Sequence, residues 1–169
     1  MLVIRPATPK DVPLLHTMIH ELAEFERELE FCLIEEKDLA RDGFGANPKF
    51  QALIAEWDRQ PAGFAVYFNY YSTWEGPGLY LEDLFVRPEF RGKKIGGTLL
   101  ATVARIALEQ NCRALRWEVL DWNTNAIELY KSLGATFLDQ WTSVLLTVDG
   151  LQRLAKKSLA EQRHAEKRR

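Results

Sequence analysis

The 169-residue sequence holds only two cysteines and three histidines, and neither set is spaced for the chemistry it most often serves. Cys32 and Cys112 show no metal-ligand spacing and no framework to staple, so two free thiols in a cytoplasmic protein are the simplest expectation. His16 and His20 lie four apart, but no carboxylate stands at a recognisable spacing, so a solvated or half-buried pair is expected and no metal. Long apolar runs are missing too. No segment reaches the ~18 residues of a membrane span, and no leader or lipidation motif is read, so no membrane association is expected. There is neither a Gly-x4-Gly-Lys-Ser/Thr loop nor a Gly-x-Gly-x-x-Gly after a first strand, which sets aside the common nucleotide-binding loops. Repeats and low-complexity linkers are absent as well, and the length suits a single core.

Charge of one sign does not dominate the whole, which is −2, but it is unevenly spread. Residues 150–169 carry seven basic and two acidic residues, while the rest carries 15 basic and 22 acidic, so the tail is about +5 and the body about −7. An acidic body suits a small cationic ligand and argues against nucleic acid as the main partner. Glu21, Glu24, Glu26, Glu28, Glu30, Glu35 and Glu36 gather in one stretch with Arg27 as its single basic residue. Most are expected on a solvated helix end and loop, although such a concentration could also attract a diamine or polyamine.

The chain is organised around residues 79–100. Leu79 to Val86 reads as a largely buried strand that Arg87-Pro88 stops. From Lys94 onward, Ile95, Leu99, Leu100, Val103 and Ile106 recur at helical spacing. Between them Arg91-Gly92-Lys93-Lys94-Ile95-Gly96-Gly97 is a basic, glycine-bearing loop that feeds a helix N-terminus. Free N–H groups, the helix dipole and the three cations together make an anion site suited to a diphosphate.

The remaining elements are read in order. Leu2 to Ile4 is a first strand, and Thr8-Pro9-Lys10-Asp11 opens a helix carrying Val12, Leu15, Met18, Leu22 and Phe25. A short helix follows over 35–41. Residues 50–57 and 62–72 form two strands joined by Asp58-Arg59-Gln60-Pro61. After the long helix, roughly Ile95 to Gln110, a strand is expected over 114–120, with Arg116, Glu118 and Asp121 as its polar residues. A helix over 126–133 ends at Gly134. Strands over 135–138 and 142–148 and a C-terminal helix from Leu151 to about Glu161 complete the reading.

The central stretch resembles motif A of the GCN5-related N-acetyltransferases (GNAT), Arg/Gln-x-x-Gly-x-Gly/Ala after a strand ending in Val-x-Pro. Arg91, Ile95 and Gly96 fit, and Lys94 stands where the motif has its first glycine. Asn123-x-x-Ala126-x-x-x-Tyr130-x-x-x-Gly134 resembles motif B of the same superfamily. Within it the similarity is strongest to the diamine (spermidine/spermine and thialysine) N-acetyltransferases. It is carried by Ile4-Arg5-Pro6-Ala7, Glu21 to Glu26, Asp42-Gly43-Phe44-Gly45-x-Asn47-Pro48, Tyr71-Ser72-Thr73-Trp74, Tyr80-Leu81-Glu82-Asp83 and Asp121-Trp122-Asn123, over most of residues 4–137. The implied fold is a single α/β (α+β) GNAT domain over 1–149, with a mixed central sheet of about six to seven strands flanked by helices, followed by a basic helix or tail over 150–169.

The resemblance also implies roles. Leu84, Phe85 and Val86 would offer backbone groups to the pantetheine arm of acetyl-CoA. Arg91, Gly92, Lys93, Lys94, Ile95, Gly96, Gly97 and Thr98 would hold its diphosphate, with Asn123, Asn125 and Ala126 completing the site. Tyr130 would protonate the leaving thiolate, and Glu82 would help remove the amine proton through water. A backbone N–H near Phe85 would receive the oxyanion. Phe25, Glu26, Ser72, Trp74, Glu82, Asp83, Asp121 and Trp122 would bind the acceptor.

Two departures bear on that acceptor. Ser72 replaces the acidic residue of polyamine-preferring members, and the 137–141 segment keeps only Asp139 of an acidic loop. The expected activity is acetyl transfer from acetyl-CoA, without a metal, to a primary amine of a small cationic acceptor, by a homodimer. Another amine, such as an amino acid, an aminoglycoside or a protein N-terminus, and a non-catalytic coenzyme A or polyamine sensor are the alternatives.

Overall fold

The computed structural model describes the backbone of residues 1–166 and the side chains of residues 1–157. Its strands are β1 (Leu2–Pro6), β2 (Gln51–Trp57), β3 (Gln60–Ser72), β4 (Gly76–Val86) and β5 (Ala114–Arg116). The helices are α1 (Val12–Glu26), α2 (Glu36–Phe44), α3 (Ile95–Glu109), α4 (Thr124–Ser132) and α5 (Val148–Glu166). By contact the chain forms two compact units, the first Met1–Asn123 and the second from Thr124 onward.

In the first unit the sheet runs β1-β2-β3-β4-β5, antiparallel except for the parallel β4–β5 pair. The chain enters α1 through a tight turn built on Asp11. Its carboxylate accepts from the Thr8 N–H at 2.7 Å, the Thr8 hydroxyl at 2.8 Å and the Arg5 guanidinium at 2.8 and 2.9 Å. Those donors hold the buried acid well below the usual carboxylate range, with Arg5 the largest cause. β1 and α1 are thereby tied at their junction.

The apolar stripe of α1, Leu15, Met18 and Leu22, packs on Ala52, Ile54, Phe64, Val66 and Phe85 across one face of the sheet. α3 packs against β4, β3 and β2 and buries Ile95, Leu99, Leu100, Val103 and Ala107. Helices therefore flank the sheet, as the apolar periodicity of both segments demands. The β2–β3 connection tightens to Asp58-Arg59, both with positive φ (49° and 66°), the handedness that matches a two-residue hairpin.

Three expectations are corrected. The strand expected over 114–120 ends at Arg116, because β5 pairs with β4 only through Gly78–Tyr80 and beyond that point the two segments have no common ladder. Strands over 135–138 and 142–148 are not formed among the described residues, and the sheet has five strands where six to seven were expected. Val144 and Leu145 are 88% and 84% exposed, so this apolar run has the composition of a strand without a ladder to join. The C-terminal helix starts earlier than expected, at Val148. Of the basic tail, residues 167–169 and the side chains beyond 157 lie outside the described residues.

Candidate active site

The loop between β4 and α3 turns through two left-handed residues. Gly92 has φ 77°, and Lys94, the residue before the first helical position, has φ 62° and ψ 13°. A left-handed residue suits glycine, and Lys94 occupies it at a steric cost of about 1–2 kcal/mol. Buried Ile95 pins the helix start to the core. At Gly97 no heavy atom lies within 4 Å of a would-be Cβ, and at Gly96 only Val86 Cγ2 does, at 3.6 Å. Internal packing therefore does not dictate these glycines, which leave the first turn of α3 open to a ligand.

The cations of this loop are differently engaged. Lys93 points its ammonium at the rings of Phe90 (4.9 Å) and Trp57 (5.1 Å). Arg91 donates Nε to the Val86 carbonyl at 3.1 Å and lies over Phe25. The Thr98 hydroxyl donates to the Lys94 carbonyl at 2.9 Å, so it serves the helix start.

Before the loop, β4 outruns its parallel neighbour. Pairing with β5 covers Gly78, Leu79 and Tyr80, leaving Leu81 to Val86 at an opening between the strands. The Arg87 N–H donates to the Ala62 carbonyl at 2.9 Å. Alternation along the antiparallel ladder then directs the N–H and C=O of Phe85 to β3 and those of Leu84 and Val86 to the opening. Of the three residues expected to present backbone groups, Leu84 and Val86 direct theirs to the opening, while Phe85 directs its own to β3 and packs its ring in the α1-side core.

A bulge sets the carboxylates. Val66 pairs with Asp83 and Tyr67 with Leu81, so Glu82 is the extra residue of β4. Without it Leu81, Asp83 and Phe85 would share a face. With it, Leu81 pairs beside Tyr67 on the α3 side, while Asp83 joins Val66 and Phe85 on the α1 side. Tyr80, stacked on Phe68 at 5.3 Å, also belongs to the α1 side, and Glu82 follows it by two residues. Two consecutive acids thus turn toward the end of α1.

The electrostatics agree with that placement. Asp83, half-buried, is pushed up to about 7, first by burial and then by the charges of Glu82 and Glu26. Glu82 is exposed, yet the protein around its carboxylate withdraws enough water to raise its pKa, and Glu118 raises it further. Burial also raises Glu26, followed by the charge of Glu28. This is an acidic site short of positive charge, suited to an ammonium.

Aromatic rings border it. Phe25 and Trp122 lie with centroids 5.7 Å apart, Arg27 stacks on Trp122 at 5.3 Å and Arg91 on Phe25 at 4.6 Å. α1 thereby meets the anion loop on one side and the 120s segment on the other. A cleft of about 410 Å³ opens beside Phe25, lined by Glu21, Glu24, Phe85, Arg87, Glu89 and Arg91 among others. Arg87 holds Glu21 through two bonds of 2.7 and 2.8 Å, fixing the end of β4 to α1.

The structure thus brings Phe25, Glu26, Glu82, Asp83 and Trp122 together, with Asp121 next in sequence. Ser72 and Trp74 lie elsewhere, in the β3–β4 turn, where the Ser72 hydroxyl accepts from the Trp74 and Glu75 N–H groups at 3.2 Å. Ser72 pairs with Gly76, six residues before Glu82 and about 20 Å along an extended strand. Glu118 did not stand out in the sequence as a site residue. The signal was its position two residues after Arg116, the residue that pairs with Tyr80.

In the second unit, Asn125 and Ala126 occupy the first turn of α4, and Tyr130 is buried on it. Burial raises the Tyr130 phenol above its usual pKa, so it keeps its proton through neutral pH. Gly134, with φ 78°, closes the helix by donating to the Lys131 carbonyl. Asn123, the last residue of the first unit, donates its N–H to the Leu120 carbonyl at 2.9 Å. Among the described residues no three His, Cys, Asp or Glu side chains gather to hold a metal, and no helix is long and apolar enough to cross a membrane.

Comparison with known proteins places this architecture. The profile of the Acetyltransferase (GNAT) family matches residues 15–135. A thialysine N-epsilon-acetyltransferase of Sus scrofa is 40% identical over 92% of this chain and 98% of its own length. An L-ornithine N5-acetyltransferase of Arabidopsis thaliana is 32% identical over 90% of this chain and 87% of its own. Among solved structures, an integron cassette protein from the mobile metagenome of V. cholerae superposes with TM-score 0.76 and 28% identity, over 92% of this chain and 98% of that one. With strand, basic loop and helix in motif order and the family profile spanning them, the chain belongs to the GNAT family of acetyltransferases.

Proposed function

We propose that this acetyltransferase moves the acetyl group of acetyl-CoA to a primary amine of a small cationic acceptor, a thialysine- or lysine-like amino acid or a short diamine, by direct attack in a ternary complex. The observation that carries the reading is the convergence of Glu82, Asp83 and Glu26 beside the opening at the end of β4, a few residues before the anion loop. The similarity to enzymes named for thialysine and ornithine supports it.

The donor is bound as a substrate. The first turn of α3 with Gly96 and Gly97, together with Arg91 and Lys94, receives the diphosphate, and the outward amides of Leu84 and Val86 receive the pantetheine arm. Asn123, Asn125 and Ala126 are carried over from motif B as further donor contacts. The acceptor's ammonium enters among the carboxylates, with Phe25 and Trp122 as walls.

A primary ammonium near pKa 10.4 must lose a proton before its nitrogen can attack, and Glu82 takes that proton through water. The nitrogen lone pair then adds to the acetyl carbonyl carbon, and an outward N–H beside Phe85, that of Leu84 or Val86, donates to the oxyanion. On collapse the C–S bond breaks and the sulfur takes the Tyr130 phenolic proton, while the excess proton on the former amine nitrogen leaves through water, giving the neutral amide and restoring the phenol. No metal takes part in this scheme.

Assay of thiol release from acetyl-CoA tests the reading. The panel holds thialysine, lysine, ornithine, putrescine, spermidine, spermine and a neutral amine. Turnover confined to lysine-like amino acids and short diamines is the expected result. Inertness toward every cationic amine in the panel overturns it.

The same reading includes a cytoplasmic homodimer with the C-terminal segment near its interface. Exposed Trp141, Val144 and Leu145 supply apolar surface for such an interface. Light scattering that returned a monomer at micromolar concentration removes this part.

A further inference from the structure

We propose that the cleft beside Phe25 receives the α-amino-acid head of the acceptor, with Arg91 taking the α-carboxylate and Glu24 the α-ammonium, so that a lysine-like amino acid is selected over the diamine of equal length. The inference rests on the proposed acceptor site and narrows its substrate class.

The distribution of charge carries the argument. Around Asp83 the neighbouring charges that act on its carboxyl are those of Glu82 and Glu26, both negative. The cleft instead holds both signs, Glu21, Glu24 and Glu89 against Arg87 and Arg91. Glu21 is taken by Arg87 through bonds of 2.7 and 2.8 Å, and Glu89 adds its charge to the same guanidinium. One acid and one cation of the cleft are left without a counter-charge. Among the described residues the Glu24 carboxylate makes no hydrogen bond or ion pair, and Arg91 makes no ion pair.

Arg91 is prepared for a carboxylate. Its Nε donates to the Val86 carbonyl at 3.1 Å, and its guanidinium lies over the ring of Phe25 at 4.6 Å. Both Nη groups are without a bond among the described residues, so the fork that matches a carboxylate is held in place and unused. A guanidinium has donors enough for a diphosphate oxygen and a carboxylate together.

The spacing agrees. Asp83 pairs with Val66 and Phe85 with Phe64, all on the α1 side, so the two β4 residues stand about 6–7 Å apart along the strand. That is the reach of an extended lysine side chain from its α-carbon to its ε-nitrogen. Phe85 lines the cleft, and Phe25 borders both the cleft and Trp122. The methylene chain then lies against two phenyl rings, its ε-ammonium at the acids and its zwitterionic head in the cleft. A diamine of the same length brings no carboxylate and places an ammonium beside Arg91, where like charges repel.

The test compares lysine with cadaverine, which is lysine without its carboxylate. The readouts are kcat/KM at fixed acetyl-CoA and calorimetric binding of each amine without acetyl-CoA, in full-length wild type, Arg91→Gln and Glu24→Gln. Net charge alone favours the dication cadaverine in an acidic body, whereas the proposal expects wild type to prefer lysine by about tenfold or more in both readouts. Arg91→Gln is expected to bring that ratio to within about twofold; the ratio is internal to each protein, so weaker donor binding in the variant does not enter it. Glu24→Gln is expected to raise the lysine KM about two- to fivefold and to leave that of Nα-acetyl-lysine, which has no α-ammonium, unchanged. A wild type that takes cadaverine as well as lysine overturns the proposal while leaving the acceptor site intact. An unchanged ratio in Arg91→Gln overturns it too, as does an equal effect of Glu24→Gln on lysine and Nα-acetyl-lysine. A wild type that neither binds nor acetylates lysine, cadaverine or any other panel amine overturns the acceptor site and the proposal with it.

Discussion

The guanidinium of Arg91 rests over the ring of Phe25, 4.6 Å from its centroid, joining the loop proposed to receive the donor to the helix end proposed to face the acceptor. On the proposed function neither residue serves one substrate alone. Cation–π contacts at exposed sites are worth about 0.5–1 kcal/mol, so Phe25→Leu, which keeps bulk and loses the ring, is expected to raise the acetyl-CoA KM about two- to fivefold. The acceptor KM is expected to rise in the same variant, because Phe25 also stacks against Trp122. Initial-rate kinetics with each substrate varied in turn read both effects.

Lys94 carries a left-handed backbone that glycine adopts freely. Replacing it relieves about 1–2 kcal/mol of steric cost and adds about 0.5–1 kcal/mol of chain entropy to the unfolded state. Lys94→Gly is therefore expected to raise the melting temperature by about 1–3 °C for a chain of this size. Lys94→Val, β-branched at positive φ, is expected to lower it. Calorimetry of the three proteins decides the sign.

Asp83 gives a signed pH dependence. Its folded pKa, about 7, lies above an unfolded value near 3.9, so between those values the native state holds a proton that the unfolded state has released. Its contribution to stability is fully present below about pH 4 and is lost as pH rises through 7. Over that window the loss is on the order of 2–4 kcal/mol. Asp83→Asn should remove the slope and stabilise the protein most at pH 8. Denaturant midpoints of both proteins at pH 5 and pH 8 check this.

Tyr130 is proposed as the donor of the thiolate's proton, and its burial keeps the phenol neutral. Tyr130→Phe is expected to reduce kcat by about 10²- to 10⁴-fold with KM for either substrate little changed. In wild type the alkaline limb of kcat is expected above the range of an ordinary phenol, because burial raises Tyr130, and it is expected to be absent from the residual activity of the variant. Retention of more than a tenth of wild-type kcat removes Tyr130 from this role.

Much of the architecture follows from local pattern. The apolar spacing of Leu15, Met18 and Leu22, and of Ile95, Leu99 and Val103, sufficed to place α1 and α3, and Pro88 marked the end of β4. What local pattern could not supply was pairing. Leu79 to Val86 is apolar on both sides of the strand, so its alternation gives no sign that Glu82 is an extra residue; only the partner strand shows it. Trp117, Val119 and Leu120 have strand-forming side chains, yet a strand exists only where a neighbour shares its ladder, and β4 offers none past Tyr80. The same limit explains the apolar 142–147 run that joins no sheet among the described residues. Glu118 went unnoticed for a related reason: its closeness to Glu82 depends on the register of two strands distant in sequence.

The extra residue at Glu82 makes β4 behave like a message with a reading frame. An insertion in the Thr73–Trp74–Glu75 turn lengthens the hairpin tip and leaves everything downstream in phase. Removing Glu82 closes the ladder with Leu81 still opposite Tyr67 and Asp83 still opposite Val66, and costs one of the two acids, whereas removing Leu81 instead puts Glu82 opposite Tyr67 on the α3 side. Descendants of this chain are therefore free to vary the length of the hairpin tip, while those that keep two adjacent acids on the α1 side keep the distance from Tyr80 to Phe85 to the residue.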